Sequence, residues 1–187
     1  MTTTTTTKSG LLALPLLLLL TMAGCQPRDG RAETKQRALM HTGFEELLGW
    51  APEVSPTLTT EKAHSGKFAV RVDSRYQYSP SFRTELGQLC SHRPRRFTLS
   101  AWVWVPSFKD DAVFVLSLAN PADPDHPFYS KNVYLTTSGP FQEWKQVSRD
   151  FDLPETINSK TLLTIYLWNS SAGAPVYTDD WQLTELW

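Results

Sequence analysis

From residue 66 to the carboxyl terminus the apolar side chains recur at every second position. Phe68, Val70 and Val72 alternate with Lys67, Ala69, Arg71 and Asp73, and Leu99, Ala101, Val103 and Val105 alternate with Ser100, Trp102 and Trp104. The same rhythm carries Trp144 to Phe151, and sets Leu163, Ile165 and Leu167 against Thr164, Tyr166 and Trp168. Val113-Phe114-Val115-Leu116 is apolar on both faces, as a central strand is. Successive side chains of a strand point to opposite faces, so this period predicts strands. Beyond Met40 no stretch sustains the 3.6-residue period of an amphipathic helix. Turn clusters punctuate the pattern at 64–67, 120–125, 138–140 and 170–173. Eight or nine strands without βαβ alternation predict an all-β fold, an antiparallel two-sheet β-sandwich. In the last strand, Tyr177, Asp179, Trp181 and Leu183 are expected on one face.

The amino terminus is of another kind. Leu11 to Leu20 is a leucine run interrupted only by Ala13 and Pro15. With Thr21 to Gly24 it has the length of a secretion signal and falls short of a comfortable membrane span. Met22-Ala23-Gly24-Cys25 resembles the bacterial lipoprotein signal, in which small residues precede a cysteine that becomes lipidated. That resemblance implies a signal over 1–24, a lipid on Cys25 and, with Gln26 next, the outer membrane of a bacterial cell envelope. An ordinary signal cleaved nearby, or an uncleaved anchor, is the other reading. Residues 25–40 read as a lipidated tether, or as a frayed helix over 32–40, leaving 41–187 for the sandwich.

Composition narrows the function classes. A net charge of −1 gives no basic footprint for nucleic acid. Seven Trp, six Tyr and nine Phe all fall after residue 25, a heavy aromatic load for one domain. Cys90 is the one cysteine left in the domain, so no internal disulfide forms and the fold rests on its core. It reads as a small buried apolar group.

Phe44-Glu45 followed by Gly49-Trp50, then His64-Ser65-Gly66-Lys67, then Phe97 to Val103 appear in order along the chain. Trp144 ahead of Phe151-Asp152-Leu153-Pro154, and Tyr177 to Leu183, complete the set. Together these resemble the CenC-like carbohydrate-binding modules of families 4, 9 and 22, which are galactose-binding-like jelly rolls. The resemblance implies a glycan as partner. It also implies one structural calcium tying the first strand to the last, on Glu45 and Asp180 with Asp179 as the further candidate. Two carboxylates with backbone carbonyls and water make a workable set for six to eight oxygens; a solvated Asp-Asp turn is the plain alternative.

Two aromatic pairs and one ionic pair are the candidate glycan contacts. Trp102 and Trp104 share a strand face opposite Leu99 to Val105, and Tyr166 and Trp168 repeat the geometry opposite Ile165 and Leu167. If both pairs face outward from one sheet, they form a stacking platform for sugar rings; if not, one of each pair is core. Arg83-Thr84-Glu85-Leu86 resembles the arginine–glutamate strand motif of jelly-roll alginate lyases, without their companion histidine and tyrosine motifs. His92 and His126 sit in proline-containing loops and read as surface histidines. Neither Gly-x-Ser-x-Gly, His-Glu-x-x-His nor a phosphate loop occurs. The chain therefore reads as a non-catalytic glycan-binding module on a lipid anchor. A structural or protein-interaction lipoprotein and a polysaccharide-lyase-like jelly roll are the alternatives.

Overall fold

The computed structural model describes residues 1–4, 35–46 and 55–187, so Cys25, Gly49 and Trp50 lie outside the described residues. Among the described residues, ten strands and one short helix fall within the compact unit Glu33–Trp187. They are β1 (Gln36–Thr42), β2 (Leu58–Thr59), β3 (Ala69–Val72), β4 (Phe82–Glu85), α1 (Leu86–Leu89), β5 (Arg96–Trp104), β6 (Ala112–Ala119), β7 (Tyr129–Tyr134), β8 (Trp144–Asp152), β9 (Leu162–Asn169) and β10 (Val176–Leu186). Every pairing is antiparallel. A six-stranded sheet runs β2-β3-β10-β5-β8, with β1 also on β10, and a four-stranded sheet runs β4-β9-β6-β7.

The core is the set that the alternation marked. Val70, Val72, Phe97, Leu99, Ala101 and Val103 come from the larger sheet, and Phe114, Leu116, Leu118, Leu163, Ile165 and Leu167 from the smaller, all buried. Each of the Val, Leu, Ile and Phe side chains contributes roughly 1.5–3 kcal/mol of transfer free energy. β6 is buried along its whole length, as its doubly apolar sequence requires. Trp181 closes the packing edge-on to Phe44 and Phe114, at centroid distances of 5.3 and 5.0 Å.

Two expectations are corrected. Residues 36–40 are not tether: they form most of β1, which pairs with β10 from Gln36↔Leu186 to Thr42↔Trp181. The strand was hidden because a register shift between Ala38 and Met40 breaks its alternation, while Leu39 and Met40 pack on the core. Nor do Tyr177, Asp179, Trp181 and Leu183 share a face. β10 carries a bulge between Asp179 and Gln182, with Asp180 at φ 49°. Tyr177 and Asp179 therefore lie outward opposite Trp104 and Trp102, whereas Leu183 lies inward opposite Leu99, with Trp181 in the core.

Candidate functional site

The outer face of the smaller sheet gathers four of the six expected contact residues. Leu163, Ile165 and Leu167 of β9 fill the core, so Thr164, Tyr166 and Trp168 point the other way. On β4, Arg83 is in register with Thr164 and Glu85 with Leu162, on the same outer face. On the other side of β9, Val113 and Val115 of β6 stand opposite Trp168 and Tyr166, and β7 sets Tyr134 and Asn132 opposite them. Tyr78, in an extended segment ahead of β4, bridges to Trp168 and stacks on it at 6.5 Å and 12° between planes. Tyr78 also meets Tyr166 at 6.1 Å. The result is a row across the strands: Tyr78, Trp168, Val113, Tyr134, with Tyr166 one step along.

Tyr78 and Tyr134 end this row at 59% and 53% exposure. Burial, and secondarily the Tyr78 phenol, pushes the Tyr166 hydroxyl above its ordinary range, so it stays a neutral donor. Arg83 Nε donates to Thr164 Oγ1 at 3.3 Å, and Glu85 accepts from Lys160 Nζ at 3.1 Å. Flat rings, a guanidinium, a carboxylate and the Asn132 amide thus share one open face. Three of the four histidine rings are hydrogen-bonded elsewhere, His64 to Asp180, His92 to Glu185 and His126 to Asp123, while His41 of β1 lines a cavity at the sheet edge that Arg83 also lines. Neither Tyr78 nor Tyr134 stood out in the sequence. Tyr78 lies two residues before Pro80, outside any regular strand, and the inward positions of β7 (Tyr129, Lys131 and Val133) are too mixed to show an alternation.

Trp102 and Trp104 also point outward, but from the larger sheet, on the opposite side of the sandwich. A single platform of both pairs does not form. The chain itself covers these two indoles. His64 stacks on Trp102 at 3.8 Å with 12° between planes, and Lys62 Nζ lies 4.4 Å over Trp104. Tyr177 meets Trp104 edge-on at 5.7 Å, and Trp144 meets His64 edge-on at the same distance. Tyr177 donates to Glu61 Oε2 at 2.7 Å. Burial first, then that bond, pushes the phenol up to about 12, while the bond holds Glu61 below its ordinary range.

The same loop collects the three carboxylates. Glu45 Oε1 accepts from the amides of Lys67 and Phe68 at 2.7 and 2.8 Å. Asp179 accepts from the amides of His64, Ser65 and Asp180 at 2.8–3.0 Å. Asp180 takes His64 Nδ1 at 2.7 Å and Ser65 Oγ at 2.6 Å. Glu45 and Asp180 thus both dock on the 64–67 turn, joining the start of the domain to its last strand. Burial raises the Asp179 carboxyl above its ordinary value in spite of three amide donors. Calcium asks for six to eight oxygens, whereas these carboxylates face N–H and O–H donors; the set does not fit the ion as arranged. No three His, Cys, Asp or Glu side chains among the described residues are grouped to hold a metal.

Solved structures share this architecture. The second xylan-binding family 22 module of Paenibacillus barcinonensis Xyn10C superposes with a TM-score of 0.50 at 16% identity, covering 79% of this chain and 99% of that one. The C-terminal family 22 module of Clostridium thermocellum Xyn10B gives 0.50 at 12% identity, covering 79% and 92%. The chain has the fold of a carbohydrate-binding module. No protein-family model matches its sequence, and no curated protein is significantly similar to it.

One buried polar cluster of the module lies away from both faces. Glu185, with no exposed surface, accepts from Arg37 at 3.0 Å and His92 at 2.8 Å, and Cys90 Sγ donates to it at 3.7 Å. Burial, followed by the Glu185 charge, pushes the Cys90 thiol up to about 11. Cys90 is buried as expected, yet it serves as a weak donor to a carboxylate. Glu185 had no sequence signal, because a charged residue near a strand end reads as solvated.

Proposed function

We propose that the module binds a polysaccharide on the outer face of its smaller sheet, without cleaving it, while a lipid on Cys25 holds it at the cell envelope. The cross-strand row of Tyr78, Trp168 and Tyr134, with Tyr166 beside it, carries this reading. Pyranose rings present flat C–H patches that stack on aromatic faces, and their hydroxyls need partners of both kinds. Arg83 and Asn132 offer donors, Glu85 an acceptor, and the phenols both. The row crosses strands spaced ~4.8 Å apart, which suits an extended chain of sugars rather than one small molecule. The likeness in fold to xylan-binding modules makes xylo-oligosaccharides the first probes. His64, His92 and His126 are bonded to carboxylates elsewhere, and His41 sits on β1 of the other sheet with no bond to Arg83, Glu85 or Tyr166, which favours binding over β-elimination. Localisation at the outer membrane rests on the sequence around Cys25.

Calorimetric titration of xylohexaose, backed by a glycan array, is the test. Tyr166→Ala and Trp168→Ala are each expected to weaken binding about tenfold, ~1.4 kcal/mol, the scale of one aromatic stacking contact. A chain that binds no glycan on the array, or one whose binding ignores both substitutions, would overturn the proposal.

A further inference from the structure

At the far end of the smaller sheet, where β6 ends and β9 begins, a cavity of about 490 Å³ opens between two loops. Asn120, Pro121, Phe128, Asn158, Lys160 and Thr161 line it. Ala119 pairs with Leu162 on β9, and Glu85 pairs with Leu162 from the other side, so the cavity continues the outer face described above. Phe128 is 51% exposed and supplies, with Pro121, an apolar wall.

The polar wall is sorted by its own turns. Asn120 Oδ1 accepts the Ala122 amide at 3.0 Å, and Asn158 Oδ1 accepts the Lys160 amide at 2.8 Å. Those bonds fix the orientation of both side-chain amides and leave each Nδ2 without a partner among the described residues. Thr161 Oγ1 already accepts the Asn158 amide at 3.0 Å, so its hydroxyl hydrogen is the atom left to give. Lys160 keeps further N–H donors, but Glu85 at 3.1 Å already balances its charge. The wall is rich in donors without a surplus of positive charge. A carboxylate ligand would find no unbalanced cation there, and an unsubstituted hydroxyl would use the donors only in part.

The cavity lies roughly 13 Å along β9 from Tyr166, at ~3.3 Å per residue. We propose that it takes an acetyl group on a unit of the bound glycan that continues past the aromatic row, its carbonyl oxygen receiving the Asn120 and Asn158 amides and its methyl resting against Phe128 and Pro121. The inference rests on the smaller-sheet reading and extends it to acetylated sugars. An ester on a hydroxyl and an amide on an amino sugar present the same carbonyl and methyl, so both sources are tested.

The full chain is titrated with acetylated xylo-oligosaccharides and their alkali-deacetylated counterparts, and with chitohexaose against cellohexaose. The acetylated member of at least one pair is expected to bind about tenfold more tightly, and the pair that shows it names the source. Asn120→Asp with Asn158→Asp keeps both turn acceptors while removing both amide donors; Phe128→Ala removes the apolar wall. Either variant should cancel the preference while deacetylated ligand binds as before. Equal affinity within both pairs, or a preference that survives the variants, overturns the acetyl site and leaves the polysaccharide reading standing. Loss of all binding to all four ligands overturns both.

Discussion

Cys90 shows how one residue reports its surroundings. Its thiol is pushed from the ordinary 9.0 up to about 11 by burial and by Glu185. At pH 8 about one molecule in a thousand then carries the thiolate. Alkylation by iodoacetamide is expected to be slow in the native chain and fast in denaturant; equal rates would contradict the burial. Linkage has a definite sign here. Between pH 9 and about 11 the unfolded chain loses this proton while the native chain keeps it, so stability falls as pH rises through that window. The loss approaches ~2–3 kcal/mol above it. Urea unfolding of the native sequence against Cys90→Ala, across pH 8 to 11, reads the difference. Trp181 is a second case: at 1% exposure between Phe44 and Phe114, its replacement by alanine should cost ~3–5 kcal/mol. The sequence exposed such core residues well, because burial on one strand face writes itself as alternation. It concealed Glu185 and Tyr78, whose surroundings come from distant strands and loops.

The elements teach the same lesson at larger size. Trp102-Val103-Trp104 and Tyr166-Leu167-Trp168 are near-identical patterns with different fates, since only topology decides which sheet each joins and which loop covers it. Period alone gave both pairs an outward face; it could not say that His64 and Lys62 lie on the first pair. Trp104→Ala is therefore expected to leave glycan affinity within about twofold while lowering stability, the reverse of Tyr166→Ala; parallel titration and thermal melts separate them. The 64–67 turn is held by carboxylates that approach backbone closely. A Cβ on Gly66, at φ 57°, would sit 2.4 Å from Glu45 Oε1. Gly66→Ala should cost about 1–3 kcal/mol, from the left-handed backbone and the displaced Glu45 together. Because those carboxylates face amide, hydroxyl and imidazole donors, calcium and chelator should give the same melting temperature. A rise with calcium at millimolar concentration would instead mean that the ion displaces His64 or Ser65.

For the whole molecule, the question is how a sandwich that begins at β1 meets a surface. Ten residues separate Cys25 from Gln36, a reach of at most ~33–36 Å if fully extended. β1 is laced to β10, so the proposed lipid on Cys25 would pull on the β1–β10 ladder directly. Two or more acyl chains, at ~0.8 kcal/mol per buried CH₂, hold stably where one holds only marginally. Cys25→Ser is thus expected to move the chain from the membrane to the soluble fraction. The ten described strands all lie at 36–186, beyond Cys25, so melting temperature and glycan affinity are expected to remain those of the native sequence. Fractionation followed by a high-salt wash decides between anchors, because salt strips electrostatic attachment and leaves acyl burial intact. A Cys25→Ser chain that stays with the membrane after the wash would show that the leucine run itself is the anchor, and the lipoprotein reading would fall while the sugar-binding face stood untouched.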